Sequence, residues 1–353
     1  MITRFALFTL LTVLGSPSWS WVLTLARPGE DETQRYQSSN PVVFLKDVRT
    51  QNQGQSEECY MFAFTTSLEV ANKNAWQREQ APPISAEFLV LQKIEEWAKE
   101  VWLNKVGLDQ GFYYHSGGDV HHSMRLSVER GLIPSSLFRE KNRPYTEWNF
   151  EKFYQDVRAL VREEKPNLNR ARDQQQFNEA YEKAMRRLQA RLYRDVNLPP
   201  QKFQILGRDY TPRTFENAVG IRRNSHIHYI YPAGRWDMGD PWDLRRALVD
   251  LVSTFNGNFR QAQVSWKRIW SYVLDNLNAG LPTLFSLKWG KSYHVLVATG
   301  YEYDSEGRLV TIRMKNTWGD EFGTRGSAVF TPQDLQRSTH GVWGFRAPSE
   351  SWR

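Results

Sequence analysis

Cys59 is the sole cysteine in a chain of 353 residues, within the stretch QNQGQSEECYMFAF from Gln51 to Phe64. A lone thiol cannot close an internal disulfide, and by itself it cannot hold a structural zinc ion. It can serve as a nucleophile if a histidine takes its proton and a third group orients that histidine. The candidates are His115, His121, His122, His226, His228, His294 and His340. His294 has the most suitable context. It opens a predicted strand in KSYHVLVATGY, and Asn316, in RMKNTWGDEFGTRG, closes the strand that would pair with it. A hairpin brings such ends side by side, and an Asn carbonyl accepts an imidazole N–H without adding charge. Cys59 is predicted at a helix start, where free N–H groups and the helix dipole favour a thiolate. The chemistry would be acyl transfer. Cys59 attacks a carbonyl to form a thioester, and His294 protonates the leaving amine and then activates water.

Other titratable residues read differently. Glu57 and Glu58 have two readings: a selector for basic groups on a substrate, or first-turn acids that complement the helix dipole and lie exposed and screened. Beside either, the thiolate–imidazolium pair is expected to survive with a modest loss. His115, Asp119, His121 and His122, and separately His226 and His228, lack a full ligand set, so no metal is expected. The net charge is +7, but 46 Lys and Arg stand among 39 Asp and Glu. The signs alternate from Glu151 to Arg194, which reads as a solvated helical face, so no nucleic-acid partner is expected.

The elements that would position these groups follow from pattern. A helix is predicted from Cys59 to about Trp76, and another from Ser85, its N-cap, to about Trp102. HSGGDVHHSMRLSVERGLIP reads as a glycine turn and a helix stopped by Gly131, with Pro134 beyond. Glu151 to Asp195 reads as a polar helical hairpin broken near Pro166. Its buried face carries Phe177, Ala180, Tyr181, Ala184, Met185, Leu188 and Leu192. IHYIYPAG and LPTLFSLKWG read as strands, and YHVLVATGYEYDSEGRLVTIRMKN as a hairpin turning at Asp304 to Gly307. Helices early and strands late give an α+β fold of two subdomains. Residues 1–20 have the charged, apolar and small-residue layout of a secretory signal, with cleavage as late as 26. An uncleaved anchor is the other reading, but Gly15 to Ser18 interrupt the apolar run. Then come an N-terminal extension over 21–45, a helical subdomain with the cysteine over 46–150, a helical insertion over 151–200, and a β-rich subdomain with the histidine and asparagine over 201–353.

NQGQSEECYMFAF, YHVLVATGY and KNTWGDEFGTRG resemble, in this order, the Cys, His and Asn motifs of papain-like cysteine peptidases. The resemblance implies an oxyanion-hole role for Gln53, a Trp318 that shields the His–Asn bond, and substrate-backbone binding by Gly117 and Gly118. ISAEFLVLQKIEEWAKE, SGGDVHHSMRLSVERGLIPSSLF and NLPPQKFQILGRDYTPRTFENAV resemble the bleomycin hydrolase and aminopeptidase C branch. There are departures. Glu57 and Glu58 stand where Gly and a small or basic residue are usual, Tyr60 stands for tryptophan, and Ser56 stands for a disulfide cysteine. The branch is usually cytoplasmic and has a C-terminal arm that fills the cleft. Here Arg346 to Arg353 would reach about 28 Å at most. With the predicted signal, the resemblance implies an exported, periplasmic or secreted cysteine peptidase of papain-like two-subdomain fold with a helical insertion, an endopeptidase acting on peptides or proteins. It needs no metal or organic cofactor and has no stable membrane association after signal cleavage. A catalytically silent binding protein and an acyltransferase with the same triad remain as rivals.

Overall fold

The computed structural model describes residues 42–78, 80–108, 120–138, 140–221, 225–232, 259–290 and 292–346. Residues 1–20, expected to be a signal, together with His115, Gly117, Gly118, Asp119 and the last seven residues, lie outside them.

The fold is built around α1 (Cys59–Asn74), which has no Gly or Pro and is buried on nearly every face. A helix apolar all round belongs in an interior. Some of its polar side chains bond within the helix and others reach across the fold: Thr65 Oγ1 donates to Met61 O at 3.1 Å, and Asn72 Nδ2 donates to Val219 O at 2.8 Å. α2 (Ala86–Trp102) begins as its sequence implies, with Ser85 Oγ accepting from Phe88 N at 3.2 Å. α3 (Val120–Arg130) ends at Gly131. That residue has φ of +86°, and a Cβ there would lie 2.2 Å from the Pro212 carbonyl carbon. Only glycine accepts both the left-handed turn and the close approach.

α4 (Phe150–Asn169) and α5 (Gln174–Leu192) form the helical hairpin. The break is not at Pro166. Pro166 sits inside α4, and the chain turns only at 170–173. A proline near a helix end removes one hydrogen bond, and the last turn still closes, with Arg170 N donating to Pro166 O at 3.1 Å. Asp173 then caps α5 by accepting from Gln176 N at 2.8 Å. Ala184, Leu188 and Leu192 are fully buried, while Phe177, Ala180, Tyr181 and Met185 pack half-buried at the margin.

β1 (Val42–Phe44), β2 (Phe203–Ile205), β3 (Arg208–Tyr210), α6 (Pro212–Val219), β4 (His226–Pro232), β5 (Phe259–Val264), α7 (Trp266–Asn278), β6 (Thr283–Trp289), β7 (Ser292–Tyr303), β8 (Leu309–Lys315), β9 (Ser327–Phe330), α8 (Pro332–Ser338) and β10 (Thr339–Arg346) complete the described elements. The large sheet runs β5-β4-β10-β6-β7-β8-β9, with only β4 and β5 parallel. β1 pairs with the far end of β7, Phe44 opposite Gly300, beyond the point where β6 stops at Ala298. No local pattern marks that strand in the sequence. Along β7 the side chains alternate between two cores. Val295 and Val297 join the helices, and Leu296 and Ala298 join α7. The architecture is α+β, with helices α1 to α5 on one side and the sheet on the other.

Candidate active site

Cys59 is the first residue of α1 and is buried, with 8% of its surface exposed. It rests against the sheet near Val295, whose backbone N–H favours the ionised thiol. Val295 is the neighbour of His294 on β7. Across the hairpin, Val297 stands opposite Lys315. Continuing that register sets Asn316 opposite Leu296, one pleat repeat from His294 and on the same face. The two side chains meet: His294 Nε2 lies 2.7 Å from Asn316 Oδ1. An amide oxygen only accepts, so Nε2 carries the proton and Nδ1 is left as the basic nitrogen.

Aromatic rings enclose this bond. Trp318 lies with its ring centre 4.6 Å from that of His294, and Trp289 meets the imidazole edge-on at 5.6 Å. Trp318 and Trp289 also contact each other at 5.6 Å. Trp289, at the end of β6, was not singled out from the sequence, because nothing in LPTLFSLKWG relates it to His294 until β6 pairs with β7.

Gln53 is held on both sides. Its backbone N–H donates to Thr317 O at 2.8 Å. Its side-chain Oε1 accepts from Thr317 Oγ1 at 2.5 Å, and its Nε2 donates to Ser56 O at 2.5 Å. One amide proton of Nε2 is left over, on a side chain locked beside the start of α1. Gln53, Cys59, His294, Asn316 and Trp318 are thus brought into one region from three separate stretches of chain. Gly117 and Gly118 lie outside the described residues.

Burial opposes charge on both reacting groups. It pushes the Cys59 thiol up to about 12, against the Val295 N–H and with a further rise from Glu58. It pushes the His294 imidazole down to about 4, while the hydrogen bond to Asn316 acts the other way. Neither charge is favoured alone, so a thiolate here needs a cation brought beside it. Among the described residues no hydrogen bond joins the thiol to the imidazole. Such bonds often tighten only when substrate binds.

Of the two acids before Cys59, Glu58 differs from expectation. Glu57 is exposed, but Glu58 is completely buried and takes the N-cap position of α1 without capping it. Both of its oxygens lie 3.1 Å from Lys93 Nζ on α2, and Tyr154 OH on α4 donates to Oε1 at 3.2 Å. A carboxylate with a buried ammonium partner packs inward instead of capping the helix. Of the proposed metal candidates, His122 instead faces Glu96, 3.7 Å away, and Arg125 forms a two-pronged pair with the same carboxylate.

No family model matches the chain. In sequence it is 20% identical to aminopeptidase C of Streptococcus thermophilus, over 88% of this chain and 84% of that protein. In structure it superposes on PepW of Lactobacillus rhamnosis with a TM-score of 0.63 at 17% identity, over 87% of this chain and 82% of that one. The fold is that of the papain-like cysteine peptidases. The relative matched in sequence carries one of the two names that the motifs resemble, aminopeptidase C. Xylellain, a cysteine protease of Xylella fastidiosa, is more distant, with a TM-score of 0.38 at 12% identity.

Proposed function

We propose that the chain hydrolyses peptide bonds with Cys59 as nucleophile, His294 as acid and base, and Asn316 as the group that orients the imidazole. The observation that carries this reading is the 2.7 Å His294–Asn316 bond, with Nδ1 left basic and Cys59 at a helix N-terminus beside the next residue of the same strand. Gln53 and the Cys59 backbone N–H stabilise the oxyanion. The thiol proton passes to His294, the thiolate attacks the carbonyl carbon, and the amine leaves with that proton. Water, deprotonated by His294, then cleaves the thioester. Trp318 and Trp289 keep bulk water from the His–Asn bond.

The test is labelling with an electrophilic peptide epoxide, together with hydrolysis of a fluorogenic peptide. Wild type is expected to take one label on Cys59 and to turn over. Cys59→Ala and His294→Ala are expected to abolish turnover while keeping stability within about 2 kcal/mol. A Cys59→Ala variant with full turnover overturns the reading. A labelled protein without turnover marks the silent binding protein instead, and amide product on adding an amine acceptor marks the transferase.

Two finer points belong to the same reading: cleavage within a peptide chain, and export with removal of the N-terminal segment. The match to a protein named aminopeptidase C favours a second mode, removal of N-terminal residues.

A further inference from the structure

Immediately before the proposed nucleophile stands an acid that the reaction does not use. Glu58 has no exposed surface, and its partner Lys93 has 1%. The carboxylate receives Lys93 from α2 through both oxygens and the Tyr154 hydroxyl from α4. Lys93 Nζ also lies 5.3 Å from the centre of the Tyr60 ring, the residue after Cys59. The cluster therefore grips the chain on both sides of the cysteine.

We propose that Glu58 is a positioning residue for Cys59, a buried carboxylate that restrains ionisation of the nucleophile and is itself held in place by Lys93 and by Tyr154 of the helical hairpin. The inference rests on the reading of Cys59 as nucleophile.

The physical argument is one of distance and dielectric. Glu58 and Cys59 are adjacent in the chain, and both are out of water, so their charges interact with little screening. Glu58 accordingly pushes the thiol upward. Burial drives Glu58 towards its neutral acid and Lys93 towards its neutral amine, and their mutual attraction opposes both. The charged and polar groups around the pair come from every element packed on it. Glu57, Cys59 and Tyr60 belong to the α1 region, Lys93 to α2, His122 to α3, Tyr145 to the segment before α4, and Tyr154 to α4 itself. Among the described residues, Lys93 is the cation aimed at both carboxylate oxygens. It opposes the repulsion between Glu58 and a thiolate, and what it leaves uncancelled is the restraint. Because Tyr154 donates to the same carboxylate, the hairpin that carries it is coupled to the nucleophile.

The experiment is the rate of Cys59 alkylation by iodoacetamide as a function of pH. The chain has no other cysteine, so the label is unambiguous. Full-length wild type, His294→Ala, Glu58→Gln and Glu58→Gln/Lys93→Met are compared, with melting temperature measured in parallel. Glu58→Gln is expected to move the acid limb of the rate profile down by about one pH unit, a tenfold gain in thiolate at fixed pH below the limb. The double variant is expected to move it down by less, because the Lys93 charge that favours a thiolate is gone too. Glu58→Gln leaves a buried lysine without its partner and is open to misfolding. The double variant removes both charges, which folds tolerate better, and keeps the test decisive. A limb lost in His294→Ala but unmoved in both Glu58 variants overturns the inference alone. A wild-type profile with only an ordinary thiol limb, unchanged in His294→Ala, overturns the nucleophile reading and this inference with it. A purely structural role for the pair would lower the melting temperature without ordering the three limbs.

Discussion

At the scale of single residues, the candidate site depends on one hydrogen bond and what surrounds it. His294 and Asn316 are almost fully buried, at 4% and 1% exposure, so no water competes for the Nε2 proton. Without the Asn316 oxygen the imidazole would be free to turn about χ2 and would hold this orientation only part of the time. Asn316→Ala is therefore expected to lower kcat by less than Cys59→Ala does, and Trp318→Ala to lower it as well by opening the bond to solvent. Turnover of a fluorogenic peptide by the variants checks this. Equal rates in wild type and both variants would show that the pairing has no part in the chemistry.

At the scale of elements, α1 is aligned by a strap that precedes it. Leu45 N donates to Thr299 O at 2.9 Å, Gln53 N to Thr317 O at 2.8 Å, and Gly319 N to Gln51 O at 3.1 Å. The strap is fastened to the middle of α1 through Glu69, which accepts from Ile84 N at 2.7 Å and lies 3.5 Å from Arg49 Nε. Burial raises Glu69 from the ordinary carboxylate range to about 7, with Arg49 acting against the rise. Between the unfolded value near 4.5 and about 7 the folded chain binds more protons than the unfolded one. This group's contribution is therefore fully present below that window and is lost as pH rises through it. Glu69→Gln keeps an acceptor for Ile84 N and is expected to remove this loss. Urea unfolding at pH 5 and pH 8 is expected to show wild type losing about 2–4 kcal/mol more than the variant across that interval. Parallel slopes would mean that the Glu69 charge is not what the strap responds to.

At the scale of the whole molecule, the sheet and the helices contribute the site from opposite sides, and the proposed mode of cleavage depends on how a peptide's amino end is received there. The proposal of cleavage within a chain and the alternative of N-terminal trimming differ in one requirement: trimming needs a group that captures the substrate ammonium. A peptide and its N-acetylated twin separate the two. Cleavage within the chain predicts similar kcat/KM for both peptides. A preference of about tenfold or more for the free amine, worth about 1.4 kcal/mol of binding, would establish the trimming mode instead. Amino-terminal sequencing of exported protein addresses the N-terminal segment, with a mature chain beginning near residue 21 or 27 as the expected result.

The sequence by itself determined what depends on near neighbours. The caps at Ser85 and Gly131, the period of α2, and the β7–β8 hairpin with its turn at Asp304 to Gly307 were legible because those signals act over a few residues. The meeting of His294 with Asn316 was legible for the same reason, since a single hairpin brings them together. Trp289 beside His294, and Thr317 holding Gln53, were not, because strand pairing and the strap place them there. β1 likewise gains its strand identity only from β7. Glu57 and Glu58 make the division plainest. They are identical and adjacent, yet one is exposed and the other fully buried. What separates them is Lys93, 35 residues further along, and Tyr154, 96 residues away. A buried charge is tolerated only where its partners are delivered, and that delivery is a property of helix packing, which no local pattern around Cys59 records.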